Sequence, residues 1–316
     1  MGGGFFISVD WGTSNVRVRL VRFPSLQIIE EIVLPQGIKS TYNLWKEQGG
    51  DREDYFLDFL KSQIDQFKVE LDKSTTVVVS GMASSSIGMR ELPYAGLPFN
   101  TDGSTLYIEE ITNPNFPFQV KLISGVRSDS DVVRGEEVQI VGLTNETDLE
   151  FNTVFVMPGT HSKHVICDKG VVTDFHTFMT GEMFQVISEY TILKNSLNHG
   201  EFGEKEGLAF DEGVSSSTEG HSLLNELFKI RAYNLFGSRS ETENYYFLSG
   251  LLIGNELITL KNTNHDTIKL CAGGNLFELY HRAMGKLVLH KTQIVSKDKV
   301  DASVVKGQWK IIKDLL

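Results

Sequence analysis

The sequence of 316 residues is poor in cysteine and has no long apolar run. Its two cysteines, Cys167 and Cys271, lie in apolar strand-like segments and show neither metal-ligand spacing nor a disulfide framework. The apolar stretches fall short of the roughly 18 residues that cross a bilayer. The N-terminus also lacks a basic region before the short apolar run 5–9, unlike a signal peptide. These absences predict a cytoplasmic protein without a membrane partner.

Basic charge is scarce as well. The sequence has 30 Lys and Arg residues against 41 Asp and Glu residues, which gives a formal net charge of −11. Such a chain has no basic field to attract nucleic acid or anionic lipid, so we expect neither as a partner. A bound nucleotide remains compatible with this charge, because a local group of backbone N–H donors can hold phosphate.

The first forty residues predict a β-meander with a phosphate-type turn. The apolar run 5–9 precedes Asp10-Trp11-Gly12-Thr13-Ser14-Asn15, and residues 16–21 then alternate with period two. A tight turn between antiparallel strands points several N–H groups at one place, where Gly12 allows close approach and Thr13 and Asn15 add donors. Asp10 suits Mg²⁺, which binds through one or two carboxylates plus phosphate oxygens. Taken alone, the motif more often marks an ordinary hairpin in which Asp10 and Thr13 cap the turn.

The same pattern returns in the second half of the chain. The apolar strand 153–157 leads into Pro158-Gly159-Thr160-His161-Ser162-Lys163, and strand-like runs follow at 164–167 and 171–175. Gly159 and Thr160 match Gly12 and Thr13, and Ser162 lies in the second turn, so that two such turns can hold a polyphosphate from both sides. This internal repeat predicts two related domains, 1–127 and 128–316, that face each other across a ligand cleft.

Periodicity predicts the remaining elements. A strand at 267–271 leads into Gly273-Gly274-Asn275, where bare backbone before a helix can lie against adenosine or serve only in packing. The other predicted elements are a helix over 51–71, strands at 75–79, 106–109 and 120–124, helices over 182–193, 221–235, 243–260 and 275–284, a strand at 286–290 and a helix over 303–315.

The segment 131–139 is dense in charge and lies between the two repeats. Phosphoryl transfer needs a carboxylate to accept the proton of the attacking hydroxyl, and Asp131, Glu136 and Glu137 all qualify. Arg134 can bind a substrate carboxylate bidentately. A helix is predicted over 136–142 with Asp131 as its cap, so the cluster also reads as a solvated helix start. Ser84 and Ser85 follow a buried-looking strand and can present hydroxyls to a sugar.

These motifs together resemble the acetate-kinase/hexokinase/actin superfamily, and more narrowly the 2-dehydro-3-deoxygalactonokinase family. The resemblance runs from the first strand to the helix after Gly274. The segments that carry it are 7–15, 80–82, 131–142, 156–163, 174–175, 179–182 and 247–254, and the Arg-Gly-Glu-Glu and Pro-Gly-Thr-His-Ser-Lys blocks are specific to that family.

The resemblance implies an α/β fold of two actin-like ATPase (ribonuclease H-like) domains and an ATP-dependent kinase of 2-dehydro-3-deoxy-D-galactonate. It assigns Mg²⁺ to Asp10, the phosphates of ATP to both Gly-Thr turns, and adenosine to Gly273, Gly274 and Asn275. Among the candidate bases, the Glu137-x-Gln139 pattern favours the glutamate pair.

Two other functions fit the same motifs. A kinase of this fold that acts on a neutral ketose or polyol would share every turn, since one arginine does not prove a carboxylate substrate. A nucleotide-binding regulator would lack the cleft carboxylate and carry extra segments for protein partners, which the Arg-Gly-Glu-Glu block and the compact length disfavour. The oligomeric state is open between a monomer and a homodimer.

Overall fold

The computed structural model describes residues 4–315, apart from the side chains of Thr147, Asn262 and Asn275. The strands are β1 Gly4–Trp11, β2 Val16–Phe23, β3 Gln27–Leu34, β4 Thr76–Gly81, β5 Ala95–Gly96, β6 Phe99–Asn100, β7 Ile108–Asn113, β8 Phe116–Ile123, β9 Val126–Arg127, β10 Val132–Val133, β11 Asn152–Met157, β12 Ser162–Asp168, β13 Val171–Phe178, β14 Thr267–Leu270 and β15 Thr292–Ile294. The α-helices are α1 Ile38–Gln48, α2 Arg52–Ile64, α3 Glu136–Leu143, α4 Thr180–Tyr190, α5 Glu204–Ser216, α6 Leu223–Leu235, α7 Glu241–Leu257, α8 Gly274–Lys286, α9 Lys297–Asp301 and α10 Ser303–Ile312.

The chain divides into two compact units. Unit 1 comprises residues 1–149, 170–174 and 301–316, and unit 2 comprises residues 150–169 and 175–300. The predicted boundary between residues 127 and 128 lies earlier in the chain than this division. Within residues 4–315, no helix is both long enough and apolar enough to span a membrane.

Unit 1 is built on a sheet with the strand order β3-β2-β1-β4-β8-β7. Strands β1, β2 and β3 form an antiparallel meander, while β4 runs parallel to β1 and β8 parallel to β4. Helix α2 begins where the Asp51 side chain accepts a hydrogen bond from Asp54 N at 3.0 Å. Its buried Phe56 packs against Trp11 at the end of β1, with ring centroids 5.3 Å apart, so the core lies directly behind the first turn.

The C-terminal helix α10 completes unit 1. Gln308 is fully buried, and its side-chain amide donates to the carbonyl of Val9 at 3.0 Å and to Ser80 Oγ at 2.9 Å. Helices α3 and α10 cross closely, since a Cβ added at Gly307 would lie 1.9 Å from the carbonyl oxygen of Val138. The last helix therefore packs under the first and fourth strands of the chain.

Unit 2 repeats the arrangement with the strand order β15-β14-β11-β12-β13. Strand β12 is antiparallel to β11, β14 is parallel to β11, and β15 is parallel to β14. The first residues of β13 cluster with unit 1, where Val171 and Val172 pair with β6. In each unit a meander continues into two parallel strands, so the predicted repeat and the ribonuclease H-like fold class are confirmed.

Several predicted elements differ from the structure. The strand predicted at 286–290 is wrong, because Met284 and Leu287 are buried at helical spacing around the end of α8 and the strand follows at Thr292–Ile294. Asp131 is not the cap of α3, because Gly135 holds that position with a φ of 109°. Helices α1 and α5 were not predicted.

Candidate active site

The first phosphate-type turn joins β1 to β2 at the edge of unit 1. Gly12 N donates to the carbonyl of Asn15 at 2.9 Å, which closes the turn and leaves Thr13, Ser14 and Asn15 exposed. Asp10 lies at the base of the turn with 19% of its side chain exposed, and its Oδ2 accepts from Arg17 Nη1 at 3.2 Å. The predicted donors and the predicted carboxylate therefore lie on one accessible hairpin.

The start of α1 supports this turn from behind. Ile38 N donates to the carbonyl of Gly12 at 3.0 Å, and Gly37 N donates to the carbonyl of Ser14 at 2.9 Å. A Cβ at Gly37 would lie 2.2 Å from the carbonyl oxygen of Thr13, so only glycine fits there. The sequence analysis did not identify Gly37. A glycine at the start of an amphipathic segment is the sequence feature that could have identified it.

The start of α3 places the two candidate glutamates in different environments. Glu137 is 1% exposed, and both of its carboxylate oxygens accept from Gly135 N, at 2.9 and 2.7 Å. Burial, reinforced by the charge of Glu136, raises the pKa of Glu137 to about 8. Glu136 is partly exposed, and its Oε2 accepts from Arg134 N at 3.0 Å. Buried Glu137 therefore supports the local backbone, while Glu136 is the more accessible of the two.

Arg134 is fixed beside the loop that follows β4. Its Nη1 donates to Ser84 Oγ at 2.6 Å and to the Ser84 carbonyl, and its guanidinium lies 4.2 Å from the ring centroid of Tyr94. Ser84 is fully buried, and Ser85 donates to the carbonyl of Met82 at 2.7 Å. The structure thus brings Arg134 and Ser84 together, with Ser84 behind the arginine.

Asp131 is held outside the helix start. Its Oδ1 accepts from Val132 N at 2.7 Å, ahead of the short strand β10. Three residues separate it from Gly135, the N-cap of α3. Among the three candidate bases, Asp131 therefore occupies a separate loop position.

The second phosphate-type turn lies in unit 2 between β11 and β12. Gly159 N donates to Ser162 Oγ at 3.4 Å, and Thr160 and His161 are exposed. Ser162 itself is fully buried. The turn is closed from the side by α4, where Glu182 N donates to the carbonyl of Thr160 at 3.0 Å and the Glu182 carboxylate meets His161 Nε2 at 2.6 Å.

A cavity of about 410 Å³ opens beside this turn. Its walls combine Gly159 and Gly181 with aromatic side chains from α4, α7, α8 and the segment before α5. The aromatic residues that line it are Phe184, Phe202, Tyr245, Tyr246 and Tyr280.

Helix α8 supplies one wall of the cavity from the residues just after the predicted adenosine segment. Leu276 and Leu279 line it, while Gly274 begins the helix with a φ of 60° and Gly273 precedes it. The side chain of Asn275 lies outside the described residues. The predicted segment therefore leads into a cavity wall, and its own contact with a ligand stays a prediction.

The donor set around Asp10 suits only one kind of metal binding. Within the described part of the chain, no three His, Cys, Asp or Glu side chains group as a protein-only metal site would require. Mg²⁺ needs fewer, because it keeps several waters and binds through one or two carboxylates and the substrate phosphates. Asp10, beside an exposed phosphate-type turn, fits that mode.

Comparison with known proteins gives matches over almost the whole chain. The family model for 2-keto-3-deoxy-galactonokinase matches residues 10–311. The 2-dehydro-3-deoxygalactonokinase of Escherichia coli (strain K12) is 27% identical over 310 residues, which cover 95% of this chain and 96% of that protein. A solved structure from Sinorhizobium meliloti, assigned as a 2-dehydro-3-deoxygalactonokinase, superposes with a TM-score of 0.81 at 25% identity and covers 98% of this chain and 96% of its own.

Proposed function

The chain belongs to the 2-keto-3-deoxy-galactonokinase family, and from that premise we propose that it is an ATP-dependent kinase of 2-dehydro-3-deoxy-D-galactonate. The observation that carries the proposal is the family match over residues 10–311, which includes both Gly-Thr turns. The reaction moves the γ-phosphoryl group of ATP to the 6-hydroxyl of the sugar acid. The bond between the γ-phosphorus and the β–γ bridging oxygen breaks, a bond from that phosphorus to the sugar oxygen forms, and ADP leaves.

The two turns are assigned to the phosphates of ATP. Thr13 and Asn15 offer exposed donors beside Gly12, where the absence of a side chain allows close approach, and the exposed Thr160 beside Gly159 lies at the matching place in unit 2. Such turns bind anions because their N–H groups converge. Ser162 is too buried to reach a phosphate, so its assigned task is to shape the second turn.

The aromatic cavity in unit 2 is assigned to the nucleoside. Ligand cavities of this kind are mostly apolar with a few polar groups that set orientation. The walls at Phe184, Tyr245 and Leu279 are apolar, and Gly159 of the phosphate turn lies at the same cavity. A nucleoside seated there therefore has its phosphates at the second turn.

Glu136 is the preferred general base. A base must come within hydrogen-bond reach of the proton it takes and must be ionised to accept it. Glu137 meets neither condition at neutral pH, because it is 1% exposed and its pKa is raised to about 8. Glu136, at the first position of α3, is accessible, and it accepts the proton of the 6-hydroxyl as the phosphoryl group transfers.

Arg134 is assigned to the carboxylate of the sugar acid. Among the described contacts, its guanidinium donates through Nη1 to Ser84, which leaves Nη2 and Nε for a ligand. A planar guanidinium held against Tyr94 is pre-oriented for a bidentate contact. Ser84 fixes the arginine, and Ser85 keeps its predicted sugar contact as part of the proposal.

Asp10 is the residue that would hold Mg²⁺, and the bound ion would neutralise charge on the phosphates. The ion pair with Arg17 keeps the Asp10 side chain at the turn.

The proposal also includes a cytoplasmic location and no nucleic-acid or membrane partner. It includes a homodimer as the oligomeric state, which light scattering tests.

A coupled assay of ADP release tests the proposal. Turnover with 2-dehydro-3-deoxy sugar acids but not with neutral ketoses or polyols is the expected result, and phosphorus–proton NMR of the product should place the phosphate on the 6-oxygen. Turnover with neutral ketoses alone would assign the protein to a different substrate class. ATP hydrolysis that no sugar stimulates would contradict both kinase assignments.

A further inference from the structure

A chain of buried hydroxyl groups connects the second phosphate turn to one carboxylate on α7. Ser162 Oγ lies 2.8 Å from Tyr280 Oη, and Tyr280 Oη donates to Glu256 Oε2 at 2.7 Å. The exposures are 0% for Ser162 and 2% each for Tyr280 and Glu256. These three residues lie on β12, α8 and α7, so the contacts join three elements behind the turn.

The donors in this chain can be ordered. Burial raises the pKa of Tyr280 well above its usual range, so its hydroxyl stays protonated and donates a hydrogen bond to Glu256. Tyr280 can then only accept from Ser162, whose single proton is used in that bond. The lone pairs of Ser162 Oγ are left to accept from Gly159 N. Each link thus runs in one direction, from the backbone of the phosphate turn to the carboxylate.

A second arm reaches the same carboxylate from the other side of the turn. Thr180 Oγ1 also donates to Glu256 Oε2. Its neighbour Gly181 lies against the turn, because an added Cβ there would be 2.6 Å from the carbonyl oxygen of Gly159. His164 Nε2 approaches the other oxygen, Oε1, at 3.1 Å. Glu256 therefore anchors both the hairpin and the start of α4.

We infer that Glu256 and Tyr280 are positioning residues for nucleotide binding, which hold the second phosphate turn in the shape that its ligand needs. The inference rests on the proposed function, since it presumes that the turn binds ATP. Tyr280 also lines the aromatic cavity, so it contacts both the turn and the space assigned to the nucleoside. Loss of its hydroxyl should loosen the turn while its ring still fills the cavity wall.

The test is the binding of ADP to purified full-length variants, measured by calorimetry, together with steady-state kinetics. Tyr280→Phe should raise the Kd of ADP and the KM for ATP by about three- to tenfold, the loss expected for one buried hydrogen bond. The kcat at saturating ATP and the KM for the sugar acid should stay within about twofold of the unaltered enzyme. Tyr233→Phe removes a tyrosine hydroxyl on α6, away from the cavity lining, and should change none of these values.

Double variants separate positioning from general destabilisation. Ser162→Ala and Tyr280→Phe remove two links of one arm, so together they should cost little more than either alone. Thr180→Val breaks the other arm, and because Thr180 and Tyr280 share Glu256 Oε2, its effect should also be coupled to that of Tyr280→Phe, whereas strictly additive effects would indicate independent destabilisation. Should Tyr280→Phe fail to fold, Ser162→Ala tests the same link from its other end.

The outcomes are distinct from those of the functional proposal. An unaltered protein that does not bind ADP would overturn the nucleotide assignment and this inference with it. An unaltered protein that binds ADP, with Tyr280→Phe and Ser162→Ala binding equally well, would overturn the positioning role alone. Equal increases in the KM for ATP and in the KM for the sugar acid would also contradict it, because they would indicate a general structural effect.

Discussion

Glu137 accepts the backbone N–H of Gly135 with both carboxylate oxygens, at 2.9 and 2.7 Å, from a side chain that is 1% exposed. This contact forms a tight side-chain-to-backbone turn immediately before α3, at Gly135, whose φ is 109°. The neighbouring glutamate is left accessible at the first helical position. Two adjacent carboxyl groups therefore have different tasks, one in the backbone turn and one at the surface.

The first prediction concerns stability and pH. Because the pKa of Glu137 is raised to about 8 in the folded protein, folding favours its protonated form. That contribution is fully present below the unfolded pKa of 4.5 and is lost as pH rises through about 8. Glu137→Gln should therefore gain stability relative to the unaltered protein as pH increases from 5 to 9, by on the order of a few kcal/mol. Urea unfolding at several pH values measures this, and the exposed Glu91→Gln serves as the control.

The second prediction distinguishes the candidate bases. Glu136→Gln should lower kcat by roughly 10²–10⁴-fold with little change in the KM for ATP, as for loss of a general base. Glu137→Gln should keep most of the activity, because its amide oxygen can still accept from Gly135 N. Asp131→Asn should also remain active. A large kcat loss confined to Asp131→Asn or Glu137→Gln would move the base to that residue.

The third prediction concerns Asp10. Asp10→Ala should abolish turnover while leaving the unfolding temperature nearly unchanged, since its carboxylate is partly exposed and contacts only Arg17 among the described ion pairs. Arg17→Ala removes the partner but keeps the carboxylate, and it should retain substantial activity. Near-normal turnover of Asp10→Ala across a Mg²⁺ titration would exclude the assigned metal role.

The fourth prediction uses two glycines of unit 2. Gly181→Ala places a Cβ 2.6 Å from the carbonyl oxygen of Gly159, so the phosphate turn must shift. A displacement of about 1 Å at a site that positions a reactant costs up to about 10²-fold in kcat/KM. Gly285→Ala meets no atom within 4 Å inside α8, and it should stabilise the protein by about 0.5–1 kcal/mol without loss of activity. Full activity of Gly181→Ala would show that the turn tolerates the displacement.

The parts of the structure that could be predicted are those with local signals. Alternating residues after Gly12 and an apolar, β-rich run before Gly159 marked the two hairpins, and their repetition predicted two related sheets. Helix α1 was not predicted because it buries few residues. Only Ile38 and Thr41 are buried, so the apolar pattern in its sequence is weak. The carboxylate of Glu256 could not be predicted, because its partners Tyr280, Thr180 and His164 are 24, 76 and 92 residues away and meet only after folding.

The choice between Glu136 and Glu137 was likewise beyond the sequence. Both residues are acidic and adjacent, and a helix start accommodates either one in a solvent-facing position. Burial separates them, and burial is set by the tertiary packing around α3 rather than by the local sequence. The Glu137-x-Gln139 pattern favoured the glutamate pair, and Glu137 is the member of that pair that bonds to the backbone of Gly135.

The place of α10 under β1 and β4 has a consequence for synthesis on the ribosome. Gln308 bonds to Val9 and Ser80, so those contacts can form only after residue 308 has left the ribosome. Unit 2, which ends at residue 300, has all of its residues available earlier. The central sheet of unit 1 therefore stays incompletely covered during synthesis until α10 has been translated.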